Sequence, residues 1–158
     1  MQRTSIGRGS LASGQRSRSR STAPLINDEF GHGAGDEVLR LMADRLMNSV
    51  RSFDMVARLG GEEFLVVLAD ATPEIVMGVA ERLRAATAEQ PFPLISAGRA
   101  ITVTVSVGAA IATDSMETAA GLIKRADEAL YQAKRQGRNR VVADFAVPQS
   151  SVPRTAYY

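Results

Sequence analysis

From Leu25 onward, apolar and polar positions follow periods that predict their own elements. A short helical or turn segment at Leu25 leads into a Gly-broken loop, "FGHGAG". Val38, Leu39, Met42, Leu46 and Val50 then recur at helical spacing and predict a helix from about Asp36. Met55–Leu59 and Phe64–Ala69 read as two strands joined at Gly60-Gly61, a tight hairpin signal. Thr72 suits an N-cap and Pro73 the first helical position, and Ile75, Val79 and Leu83 repeat every fourth residue behind them. In "ITVTVSVGAAIA", Ile101, Val103, Val105 and Val107 face one way and Thr102, Thr104 and Ser106 the other. A last helix is predicted over Met116–Gln136, with Asp114 and Glu117 as a capping box and Gly137 as its stop. "NRVVAD" adds a short edge strand.

This order predicts an α+β domain: helices layered on a mostly antiparallel sheet. Residues 25–146 form that domain. Residues 1–24, rich in Ser, Arg and Gly with no apolar period, read as disordered or irregular, and 147–158 as a tail.

Charge changes the picture at one end only. The net charge is +2, yet five arginines precede Asp28 and no acid does. The other 14 basic residues meet all 17 acids, so the folded part is acidic and the basic character belongs to the leading segment. With only 5% aromatic residues, a nucleic-acid partner is not expected. No apolar stretch is long enough to span a bilayer, so no membrane partner is expected either. Cysteine is absent, which excludes disulfides and fits a reducing, cytoplasmic setting.

Four groups of residues offer chemistry. Glu62 and Glu63 follow two glycines directly. They form either an exposed acidic turn or a carboxylate site for a hard cation shared with phosphates. Because strand side chains alternate, one would bind metal while the other orients or deprotonates a reactant. Lys134 and Arg138 end the last helix, complementing its dipole or clamping phosphate. Asn27 and Asp36 flank the Gly-rich loop, as turn formers or as readers of a guanine edge. Arg51 and Asp54 make an RxxD pattern, which is a helix-end ion pair or a guanine contact at O6 and N7. His32, the only histidine, reads as a loop residue.

Taken together, "RLGGEEF", the upstream "INDEFGHGAGDEVL" and the downstream "KRADEALYQAKRQGRN" resemble the GGDEF diguanylate cyclase domain in its GGEEF variant, particularly the output domain of PleD-like response regulators. The resemblance runs from about Ile26 to Ala146. It implies a nucleotidyl-cyclase-like fold and a transferase that condenses two GTP into cyclic di-GMP and two pyrophosphates, in bacterial second-messenger signalling. It implies a homodimer, a divalent metal (Mg²⁺ or Mn²⁺) and an upstream regulatory domain in the parent protein. By matching positions, Glu62 is a metal ligand and Glu63 the catalytic carboxylate. Gly60 and Gly61 admit the nucleotide, Asn27 and Asp36 read guanine, and Lys134 and Arg138 hold the terminal phosphates. Arg51 and Asp54 match the site of allosteric product inhibition, with Arg82 as a contact from a neighbouring domain.

One part of the family pattern is absent. A strand ending in Asp-x-Asp-x-Phe-Lys should precede Ile26, its first Asp at about Ser19, and Pro24 stands where the Lys should be. The family's first strand is therefore expected to be missing or replaced, through truncation or an altered reading frame upstream of Leu25. Its neighbours would then expose unpaired edges unless another segment or another chain covers them. A catalytically impaired nucleotide-binding module or a dimerisation fragment is the alternative function.

Overall fold

The computed structural model describes residues 4–13, 22–31, 33–112 and 117–145. In chain order the elements are β1 (Thr4–Ser13), α1 (Thr22–Phe30), α2 (Ala34–Asn48), β2 (Met55–Gly60), β3 (Glu63–Ala69) and α3 (Pro73–Glu89). Then come β4 (Phe92–Leu94), β5 (Arg99–Ile101), β6 (Val103–Ile111), α4 (Ala119–Arg135) and β7 (Val141–Asp144). Five strands form one sheet in the order β2-β3-β1-β6-β7, and β4 pairs with β5 apart from it. All neighbours in the main sheet are antiparallel except β6 and β7. None of the described helices is long and apolar enough to cross a membrane.

Strand alternation sorts the core into two layers. Phe64, Val66 and Leu68 of β3 pack with Val38, Met42 and Leu46 of α2 and with Val76 and Leu83 of α3. Leu65, between them, turns to Ala110, Leu122 and Ala126 under α4. Each such buried Val, Leu, Phe or Met side chain contributes about 1.5–3 kcal/mol. On β6 the expected outward face is not solvated: Ser106 is 1% exposed. The reason is that α4 covers it. The helix comes so close at Gly108 that a Cβ there would lie 2.2 Å from the Ala126 carbonyl oxygen and the Leu130 nitrogen. Ala126, Ala129 and Ala133 give α4 the flat surface this approach needs.

The leading segment differs most from expectation. Thr4–Ser13 is not irregular but fills the centre of the sheet, Gly7 opposing Val66 on one side and Ala109 on the other. A ladder asks only for backbone donors and acceptors, which Gly and Ser supply as well as Val does. The central position expected to lack its strand is held by β1. Thr22, Ala23 and Pro24 also depart from the irregular reading, since they open α1; proline is tolerated in a first turn. Ser19, like all of 14–21, lies outside the described residues, as do His32 and the tail at 147–158.

Smaller differences have local causes. The expected strand from Ile101 divides at Thr102: Arg99–Ile101 pairs with β4, and Val103 begins the main-sheet strand. The last helix starts at Ala119, where the Thr118 hydroxyl accepts from the Gly121 N–H at 3.1 Å. Asp114 lies outside the described residues, and Glu117 is instead paired with Arg125 at 2.9 Å. The Thr72 cap is as predicted, its hydroxyl accepting from the Ile75 N–H.

The β4–β5 hairpin, unforeseen in the sequence, is tied to the start of α2 by one carboxylate. Glu37 accepts from the Ile95 N–H at 2.8 Å, the Ser96 N–H at 3.2 Å and the Ser96 hydroxyl at 2.7 Å. The Ser96 hydroxyl first, then the Ile95 amide, hold its pKa below the ordinary carboxylate value. A lowered folded-state pKa means this tie is whole at neutral pH and is lost as pH falls through the lowered value. Amide-exchange protection of Ile95 and Ser96 is expected to fall in acid, and to be low at every pH in Glu37→Gln. Equal protection of Ile95 in the wild type and in Glu37→Gln at pH 7 would contradict this.

Candidate active site

Gly60 and Gly61 close the β2–β3 hairpin with φ of 149° and 52°, a region that side chains rarely adopt. A register shift between Arg58 and Gly60 bends the strand into this turn. The Arg58 guanidinium then holds it: Nε and Nη2 both donate to the Gly61 carbonyl, at 3.0 and 2.6 Å. Nothing lies within 4 Å of the Cβ position at either glycine, so the backbone is open to a ligand.

Glu62 and Glu63 follow, both partly exposed. Lys134, from the last turn of α4, lies with its Nζ 3.8 Å from Glu63 Oε1. The fold thus joins two of the sequence-predicted groups, the acidic hairpin and the basic helix end. Arg138 stands one residue past Gly137, with φ of 61° and its N–H donating to the Ala133 carbonyl at 3.0 Å.

The carboxylates bear on the expected metal. No group of three or more His, Cys, Asp or Glu that could hold an ion occurs among the described residues. β1, beside β3, carries no acid, and the residue opposite Glu63 is Ser10. These donors do not make an all-protein cage. They fit a cation held by one or two carboxylates and otherwise by water and substrate phosphates, at a turn whose backbone is open.

Asn27 and Asp36 are linked but do different things. The Asn27 Oδ1 accepts from the Gly35 N–H at 2.8 Å and fixes the loop at the start of α2. The carboxamide nitrogen and the second lone pair of the oxygen then remain for a ligand. Asp36, one residue further, lines a cavity of about 420 Å³ with Leu39, Arg40, Met47, Arg58 and Phe64. Apolar walls with a carboxylate and two guanidiniums suit a planar heterocycle bearing polar edges. Arg40, Met47 and Phe64 come from α2 and β3 and were not singled out in the sequence. Arg58 stands two residues before the glycines, so its position was the available signal.

A second cavity, about 250 Å³, collects Arg51, Asp54 and Arg82 with Val50, Ile75, Gly78 and Val79. Asp54 accepts from the Arg51 backbone N–H at 2.9 Å and from the Ala69 N–H at 3.3 Å, so its contact is a backbone cap. The Arg51 guanidinium lies 5.6 Å from the Phe53 ring, and Arg82 donates to the Ser49 carbonyl at 2.6 Å. Arg82 thus lines the same cavity as Arg51 and Asp54 of its own chain.

Comparison with known proteins shows the family. Residues 24–140 match the family model described as "Diguanylate cyclase, GGDEF domain". The response regulator PleD of Caulobacter vibrioides is 44% identical over 121 residues, covering 77% of this chain and 27% of PleD. Diguanylate cyclase A of Treponema denticola is 42% identical over 116 residues, 73% of this chain and 31% of that protein. The chain therefore spans under a third of the length of these relatives. Among solved structures, the GGDEF domain of DgcB from Caulobacter crescentus, in complex with c-di-GMP, superposes with a TM-score of 0.78 at 28% identity, covering 90% of this chain and 78% of that one. The chain belongs to the GGDEF domain family of diguanylate cyclases.

Proposed function

We propose that this chain condenses two molecules of GTP into cyclic di-GMP and two pyrophosphates. The observation that carries this reading is the open Gly60-Gly61 turn, whose Glu63 meets Lys134 from the last turn of α4. Two copies face one another, each holding one nucleotide. Asp36, backed by the Asn27-fixed loop, receives guanine. Lys134 and Arg138 hold the β- and γ-phosphates. Glu63 takes the proton of the 3′-hydroxyl as its oxygen bonds to the α-phosphorus of the facing nucleotide. The α–β P–O bond breaks and pyrophosphate leaves. A divalent cation entering with the triphosphate, with Glu62 as its protein ligand, would offset the charge on the phosphates. Arg51, Asp54 and Arg82 bind the product and restrain turnover. In a longer parent protein, an upstream domain would set how the two copies meet. The reaction belongs to the cytoplasm, where GTP is supplied.

The test is purified chain with GTP and Mg²⁺, following cyclic di-GMP and pyrophosphate together. One cyclic di-GMP per two pyrophosphates is expected, with product inhibition lost in Arg51→Ala. Absence of both products under conditions where the chain is folded overturns the cyclase reading. GTP or cyclic di-GMP binding without turnover would then identify a binding module.

A further inference from the structure

The chain after α4 runs through three successive residues with positive φ: Gly137 at 116°, Arg138 at 61° and Asn139 at 45°. Glycine is at ease there and asparagine tolerates it, but arginine does not. A side chain kept in such a conformation marks a place where the surroundings dictate the backbone. Here the source of that constraint is visible. The Asn139 Oδ1 accepts from Nη1 of Arg84, on α3, at 2.9 Å. The same guanidinium is gripped from its other edge by Glu81, whose Oε1 accepts from Nε at 2.8 Å and from Nη2 at 2.6 Å. Both bonds converge on one carboxylate oxygen and orient the guanidinium toward Glu81. Past the loop, the Arg140 carbonyl accepts from the Val107 N–H at 2.9 Å and enters the sheet. The loop is thus pinned at two of the strained residues themselves: by the Arg138 N–H to α4, and through Asn139 to α3.

We infer that Arg84, aligned by Glu81, is a positioning residue that holds the 137–140 loop through Asn139 and so aims Arg138 at the nucleotide's terminal phosphates. This rests on the proposed phosphate site. It adds a residue 54 positions from Arg138, on an element with no assigned part in substrate binding. Removing the Arg84–Asn139 bond frees Arg138 to relax from its left-handed backbone, and its guanidinium then points elsewhere. Affinity for a triphosphate suffers, while affinity for a monophosphate, which has no β- or γ-phosphate to hold, does not.

The experiment measures, by calorimetry on the full chain, the ratio of affinities for α,β-methylene GTP and GMP. Wild type, Arg138→Ala, Arg84→Ala, Asn139→Ala and Asn139→Asp are compared, with thermal melts on each. The ratio is expected to fall at least fivefold in Arg138→Ala, Arg84→Ala and Asn139→Ala. It should stay within twofold in Asn139→Asp, whose carboxylate still accepts from Arg84 and tolerates positive φ. Arg84→Gln, too short to reach both partners, replaces Arg84→Ala should the latter unfold. A general loss of structure would weaken both ligands and leave the ratio alone. A wild-type ratio in the Arg84 and Asn139 variants, with a lowered ratio in Arg138→Ala, overturns the inference and keeps the phosphate site. An unchanged ratio in Arg138→Ala removes the phosphate site, and the inference with it.

Discussion

The Glu63→Gln chain is expected to bind GTP as the wild type does and to form cyclic di-GMP about 10²–10⁴-fold more slowly, the usual worth of a positioned general base. Glutamine keeps the shape and the hydrogen-bonding reach of the side chain but cannot take the 3′-hydroxyl proton. It also leaves Lys134 without its anionic partner at 3.8 Å. That pair is partly exposed, so its loss changes stability little. The melting temperature should therefore hold while the rate collapses. Initial rates of cyclic di-GMP formation, read beside GTP titrations, make the test. A rate within tenfold of wild type would remove Glu63 from the chemistry.

The second large effect concerns stability. Gly108→Ala puts a methyl 2.2 Å from two backbone atoms of α4, and no rotamer can relieve the overlap. Overpacking ordinarily costs about 1–3 kcal/mol. Here the obstacle is a helix backbone that must retreat from the sheet along its length, so a loss of about 3 kcal/mol or more is expected. That is a large share of the roughly 5–15 kcal/mol that holds a domain together. Gly78→Ala is the control. It lies within α3 with nothing within 4 Å of its Cβ position, so the same added methyl should stabilise by about 0.5–1 kcal/mol. Urea melts of the two variants should shift in opposite directions. Similar shifts in the same direction would contradict the close approach of α4 to β6.

What the sequence disclosed depended on how each feature is encoded. α2, α3, β3 and α4 each carry their own period, and all were foreseen to within a few residues. The strand at Thr4–Ser13 was not legible, because a central strand rich in Gly and Ser pairs through its backbone and leaves no apolar alternation to read. The β4–β5 hairpin was missed because each strand is three residues long and Pro93 interrupts the signal. The burial of Ser106 follows from the helix laid over β6, which no period within the strand reports.

The candidate site divides in the same way. Gly60, Gly61, Glu62 and Glu63 are contiguous, so their motif could be seen. The meeting of Glu63 with Lys134 spans half the chain and rests on the fold. Asn27 and Asp36 looked like one recognition pair; the structure gives Asn27 the loop and Asp36 the cavity. Arg84 had no sequence signal at all, since its partner Asn139 is 55 residues away.

The place of β1 has a consequence for how the molecule is made. Thr4 pairs with Ala69 and Ser5 with Ile111, so this strand is synthesised before either of its partners. At roughly 5–20 residues per second, about 100 residues of synthesis keep it waiting some 5–20 s for β6. These pairings are among the most distant the chain contains, and distant pairings fold slowly. In the finished sheet β1 lies between β3 and β6, so its two ladders are the only strand pairings that join β2-β3 to β6-β7 among the described residues.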